Sequence, residues 1–173
     1  AWEQMGSDIN GEAAGDRLGQ TVSLSSDGRI MAVGSRQNAS NGDNSGHARI
    51  YRWSGSVWEQ MGSDIDGEAT DDYSGFEVTL SSDGQTIATG AVLNDGNGPD
   101  SGHVRIYRWS GSAWEQLGSD INGEAAGDHL GWSVSLSSDG ESVAIGAMLN
   151  DGNGPDAGHV RIYRWSGSAW EQL

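Results

Sequence analysis

Trp114-Glu115-Gln116-Leu117-Gly118-Ser119-Asp120-Ile121-Asn122-Gly123-Glu124-Ala125-Ala126-Gly127-Asp128 decides the fold, because it recurs. The same pattern begins at Trp2 and Trp58, and its first four residues begin again at Trp170, always 56 residues apart. A fixed period of this length marks a tandem array and overrides the single-domain expectation for 173 residues. The units are 2–57, 58–113 and 114–169, with 170–173 as the start of a fourth. Ala1-Trp2-Glu3-Gln4 and Ala169-Trp170-Glu171-Gln172 open and close the chain in one phase, which reads as a piece of a longer array.

Within a unit, short apolar alternations lie between glycine-rich turns, the pattern of an all-β chain. In the third unit, Trp114 to Ile121 reads as a first strand and Trp132 to Ser137 as a second, with Val134 and Leu136 on one face. Ser138-Asp139-Gly140 is a hairpin turn, since Asp-Gly tolerates the positive φ such turns require. Ser142–Ala147 is a third strand whose Ala144/Gly146 face, repeated as Ala32/Gly34 and Ala88/Gly90, suits the close approach of a neighbouring sheet. His159–Trp165 is the fourth. No segment carries a helical apolar stripe.

Units two and three agree at 41 of 56 positions, so neighbouring units are expected to pack alike through one interface used repeatedly. Each unit is too small and too polar to be stable alone.

The run Leu130-Gly131-Trp132-Ser133-Val134-Ser135-Leu136, followed by Val143-Ala144-Ile145-Gly146-Ala147, resembles the FG-GAP repeat of integrin-α-type propellers. Across its length the chain also resembles tandem Trp-x-Gln, Asp-Ile-x-Gly-Glu-Ala, Ser-Asp-Gly and Gly-His-Val-Arg-Ile-Tyr arrays of algal and bacterial surface proteins. The resemblance implies tandem four-stranded antiparallel blades, β-propeller-like, in an extracellular, structural or adhesive setting. FG-GAP repeats usually carry an acidic calcium loop between these two strands, and a bare Ser138-Asp139-Gly140 turn stands there instead.

Closed propellers have roughly four to eight blades, so three units fit either part of a propeller, closed by a second chain, or an open array. The phase of the two ends favours a fibre or long array.

Charge narrows the partners. Twenty-five acidic residues face nine arginines and no lysine, a net charge of −16 that argues against nucleic acid and anionic membranes. No apolar run approaches the ~20 residues that cross a bilayer, which argues against direct membrane insertion. Cysteine is absent.

Two acidic loops are candidate calcium sites. Asp120, Asn122, Glu124 and Asp128 space their oxygens partly like an EF-hand loop, though without its Gly and closing Glu. Asp151-Gly152-Asn153-Gly154-Pro155-Asp156, matched by Asp95, Asn97 and Asp100, is the second. A solvated turn stabilised by its own side chains explains both loops as well.

His47, His103 and His159 recur once per unit, and one histidine without a second is no ligand set, so a bond to loop backbone is expected. Trp2, Trp53, Trp58, Trp109, Trp114, Trp165 and Trp170, with Tyr51, Tyr107 and Tyr163, are read as the packing between units, with sugar stacking as the alternative. Asn38-Ala39-Ser40 is an N-glycosylation sequon in a polar loop.

No catalytic constellation or cofactor loop stands out, so a non-enzymatic role is expected. The first expectation is a structural segment of an extracellular or cell-surface fibril, self-associating through its units or with neighbouring chains. The second is a binding or adhesion module for glycans or proteins.

Overall fold

The computed structural model describes all of residues 1–173 as three antiparallel sheets without a helix. The first sheet is β1 (Val22–Leu24), β2 (Ile30–Ser35), β3 (His47–Trp53) and β4 (Trp58–Gln60), with β5 (Ile65–Asp66) also on β3. The second is β6 (Ser74–Leu80), β7 (Thr86–Ala91), β8 (His103–Trp109) and β9 (Trp114–Gln116), with β10 (Ile121–Asn122) on β8. The third is β11 (Leu130–Leu136), β12 (Ser142–Ala147), β13 (His159–Trp165) and β14 (Trp170–Gln172).

The sheets are phased differently from the sequence units. Each Trp-Glu-Gln strand is the outer strand of the sheet before it: Trp114 lies opposite Trp109 and Gln116 opposite Tyr107. Residues 170–173 therefore do not start a fourth blade. Trp170 pairs with Trp165 and Gln172 with Tyr163, completing the third sheet.

The strand expected from Trp114 to Ile121 is broken in two. Leu117 still donates to the Ile106 carbonyl at 2.7 Å. The chain then bulges through Gly118 (φ +79°) and rejoins β8 with Asn122 opposite His103. The two strands with the cleanest alternation, β12 and β13, have the bounds the sequence predicts.

The hydrophobic cores lie between sheets, not within them. Ile30, Ala32, Ala48 and Ile50 of the first sheet pack with Val78, Leu80, Ile87 and Tyr107 of the second. Ala88, Val104, Ile106 and Ile121 of the second pack with Leu130, Val134, Val143 and Ile145 of the third.

The Ala/Gly faces provide the close approach. A Cβ on Gly34 would strike the Gly75 carbonyl, and one on Gly90 the Gly131 carbonyl. Gly75 and Gly131 (φ +75° and +95°) sit in bulges that open β6 and β11, and this conformation presents their carbonyls to the preceding sheet. The Ser-Asp-Gly turns add a ladder across blades: Ser26 N donates to Ser82 O at 2.8 Å, and Ser82 N to Ser138 O at 2.9 Å.

Candidate functional site

The chemistry-bearing side chains gather at the junctions where a linker leaves one sheet for the next. At the first, His47 and Arg49 at the head of β3 face Glu12 from the preceding linker and Asp64 from the following one. His103 and Arg105 of β8 face Glu68 and Asp120 in the same way. At the third, Glu124 stands 3.8 Å from His159 Nδ1 and 3.6 Å from Arg161.

The alternation of β8 explains the pairing. Residues 103 and 105 share a face directed at the linkers, while Val104 and Ile106 point into the core between sheets.

His47 and His103 are each 1% exposed. Neither makes the backbone bond expected of it: His47 Nδ1 and both nitrogens of His103 lack a hydrogen-bond partner. Their surroundings are carboxylates from two different linkers, a convergence that one unit of sequence does not display. Burial, with repulsion from Arg105, pushes the His103 imidazole down to about 4, so it is neutral at pH 7. Burial likewise lowers His47.

The loop Asp120–Asp128 does not converge on one point. Asp120 faces the His103 junction and Glu124 the His159 junction. Asp128 is buried, and its Oδ2 accepts from Glu124 N, Ala125 N and Asn150 Nδ2 at 3.1, 2.9 and 3.0 Å. Asn122 occupies the last backbone pairing of β10. Its four oxygen-bearing residues are thus split among two junctions, a strand pairing and a cap.

In the other acidic loop, Asp95 Oδ1 accepts from Asp100 N at 2.9 Å, and Asp151 does the same for Asp156 N at 2.8 Å. Asn97 Nδ2 reaches across to the carbonyls of Gly123 and Glu124, both at 2.9 Å. The matching Asn153 lies in the last loop, with no further linker beside it. These hydrogen bonds are those of loop closure and blade bridging.

The Ser-Asp-Gly turns do not fit the calcium loop of FG-GAP repeats either. Asp27 Oδ1 accepts from Ser25 Oγ and Arg29 N, and Asp139 from Ser137 Oγ and Glu141 N. These bonds hold both carboxyls below the usual aspartate range.

Asn38, expected in an accessible loop, is only 4% exposed. Its Nδ2, the atom a glycan would occupy, donates to Glu12 at 3.3 Å. Asn94 and Asn150 use the same amide on Asp72 and Asp128, so the residue is an internal cross-link wherever it occurs.

The tryptophans form pairs on the outer strands: Trp53–Trp58, Trp109–Trp114 and Trp165–Trp170, at centroid distances of 5.5, 5.3 and 5.5 Å. Each pair cups a glycine of the preceding linker, Gly6, Gly62 or Gly118. Trp58, Trp114 and Trp170 donate Nε1–H to the carbonyls of Met5, Met61 and Leu117 at 2.8–3.0 Å. Tyr107 and Tyr163 join the cores between sheets, and Tyr51 is equally buried. Trp2 is the exception, fully exposed with no sheet before it.

Beside the pairs lie two equivalent grooves, of about 390 and 280 Å³. One is lined by Asp64, Asp66, Tyr107 and Trp114, the other by Asp120, Asn122, Tyr163 and Trp170.

Sheets of this order, stacked face to face with their cores between them, make the chain an array of β-propeller-like blades. The FG-GAP repeat family model matches residues 10–51 and 122–163, so the chain carries repeats distantly similar to FG-GAP. Both matches cover the first two strands of a sheet and the third as far as its tyrosine, and stop short of the Trp strand that completes the sheet, in agreement with the phase of the sheets. No curated protein matches the chain.

Among solved structures, the fold is similar to Saccharomyces cerevisiae Sqt1, with a TM-score of 0.58 and 14% identity over 91% of this chain and 35% of that one. It is also similar to Kuenenia stuttgartiensis hydrazine synthase, with a TM-score of 0.53 and 11% identity over 88% of this chain and 36% of that one. At these identities the likeness is one of fold alone, and the chain spans little more than a third of either.

Proposed function

We propose that the chain is a non-catalytic structural module that assembles through the open faces of its first and third sheets, each face accepting a sheet of a second copy. One observation carries this reading. Val22 and Leu24 on the leading face are 61% and 57% exposed, while their counterparts Val78, Leu80 and Val134 are 8% or less and Leu136 is half-buried. Val160 and Ile162 on the trailing face are 67% and 47% exposed, while Val104 and Ile106 are 0% and 2%.

The trailing face of one copy is thus the surface that, twice within the chain, packs on a leading face. A head-to-tail contact of this kind builds a ring if its rotation closes and a filament if it does not. The resemblance to FG-GAP repeats of integrin-α type supports an extracellular or surface setting, and the acidic linkers suit a hydrated exterior.

Light scattering across a concentration series tests the reading. Association is expected, and Val22→Glu or Ile162→Glu should each limit it. The two variants mixed should stop at a dimer, because only one competent face remains on each. A chain that stays monomeric at every concentration refutes it. Electron microscopy then separates discs from filaments.

A second reading rests on the twin grooves, whose Tyr and Trp walls with nearby Asp suit a sugar ring. Binding of a soluble glycan that Asp66→Ala weakens without altering association favours it.

A further inference from the structure

We infer that the second blade junction is a divalent-cation site, in which His103 Nδ1, Glu68 Oε2 and Asp120 Oδ2 hold one ion of the Zn2+ type, with water as the fourth ligand. The three ligand atoms lie within 4.8 Å of one another, and each carboxylate oxygen is 3.8 Å from the imidazole nitrogen. That separation is too long for a hydrogen bond. Two ligands of one tetrahedral zinc, each ~2.0–2.1 Å from the metal, stand only slightly closer together.

The second oxygen of each carboxylate faces another partner, Asp120 through a hydrogen bond and Glu68 at ion-pair distance. Gln116 Nε2 donates to Asp120 Oδ1 at 2.6 Å, and Arg105 Nη1 stands 3.6 Å from Glu68 Oε1. These outer contacts leave Oδ2 and Oε2 turned to the histidine, as partners outside a metal's ligand shell do.

The independent observation is His103 itself. It is 1% exposed, aimed into the cluster, and satisfied by nothing in the protein. An imidazole among the ligands favours zinc and its transition-metal neighbours over calcium, which takes oxygen alone.

The first junction has the same residue types and a different arrangement. There Arg49 Nη2 bridges Glu12 and Asp64, standing 3.0 Å from Asp64 Oδ2, and its Nε also donates to Asp64. The guanidinium fills the place of a cation. At the second junction the corresponding Arg105 turns its Nη2 to the Asp66 carbonyl at 2.7 Å, and no guanidinium contact reaches Asp120. One ion per chain is therefore expected.

The test titrates the chain with ZnCl2 by calorimetry and with Co2+ by absorbance. One equivalent is expected, with the visible bands of a tetrahedral Co2+ centre and a raised Tm. Glu68→Gln and Asp120→Asn change partly exposed side chains. Each should keep the metal-free Tm near that of the parent and weaken binding by roughly tenfold or more. Calcium at the same concentration should leave Tm unchanged. The inference is overturned if no zinc binds, if binding is untouched in both variants, or if calcium matches zinc.

Discussion

Gly90→Ala adds one methyl group where two backbones meet, and its cost follows from what surrounds that position. The new Cβ overlaps the Gly131 carbonyl oxygen and stands 3.1 Å from its carbon and 3.2 Å from its Cα. All three are backbone atoms of a bulge held by the β11–β12 pairing, so no side chain can rotate away. Relief requires the second and third sheets to part, loosening the core of Ala88, Val104, Leu130 and Val134. That places the cost at the upper end of the ~1–3 kcal/mol usual for overpacking. For a chain of this length it is a fall in Tm of roughly 6–12 °C.

Gly34→Ala meets the Gly75 carbonyl in the same way and should behave alike. Gly146→Ala is the control, because no sheet lies over it and the nearest atom is the rotatable Ser133 Oγ. In the monomer it should melt near the parent. If the third sheet accepts a second copy, Gly146→Ala should instead block association. Thermal melts of the three variants, followed by tryptophan fluorescence and repeated below and above the association threshold, provide the assay. Equal losses in dilute Gly146→Ala and Gly90→Ala would refute the packing argument.

Burial pushes the Glu77 carboxyl above its usual 4.5, with a partial offset from the Thr21 hydroxyl. Because the folded state favours the protonated form, this group's contribution is largest in acid and is lost as pH rises through the raised value. Glu77→Gln should therefore raise the urea midpoint at pH 7, with the gain shrinking at pH 4; a pH-independent gain would contradict the assignment. Trp114→Phe deletes the 2.8 Å bond to the Met61 carbonyl and should cost about 1 kcal/mol in urea unfolding. Trp2→Phe removes nothing and should leave the midpoint in place, so similar losses for both would argue against the inter-unit bond. Expressed through a glycosylating secretory host, the chain should carry no N-glycan on Asn38; a glycosidase-sensitive mass there would show that folding does not protect the amide.

How far the fold was legible depended on what each signal encoded. The strands β12 and β13 were readable to the residue because Val143/Ile145 and Val160/Ile162 alternate and turns bound both ends. The Ala/Gly face was readable because a small residue repeated at one register has few other uses. The outer strand was harder. Its alternation breaks at Gly118, and its partner precedes it, so the sequence unit begins with a strand that belongs to the sheet before.

The site was the least legible part. Asp120 and Glu124 lie four residues apart, and spacing alone makes them one loop, whereas they face different histidines. Asn38 reads as a surface acceptor because its neighbours are polar, but polarity there reflects internal cross-links to Glu12 and Ser40. A signal was available: histidine and arginine two residues apart at the head of each fourth strand share one face, and acids recur on both flanking linkers.

Because both cores lie between sheets, stability belongs to interfaces more than to blades, as in other repeat proteins where each unit contacts only its neighbours. Three sheets make two such interfaces and leave one leading and one trailing face open. A second copy can fill both openings by ring closure, or one by extension, and the residues in contact are the same in each case. In the proposed assembly the apolar side chains make the contact without choosing its shape. The choice falls to the angle between successive sheets, which the Gly34–Gly75 and Gly90–Gly131 approaches hold near the bulges and the Trp pairs hold at the outer strands. Substitutions at those two places should alter the geometry of the assembly, whereas substitutions at Val22 or Ile162 should alter only its extent.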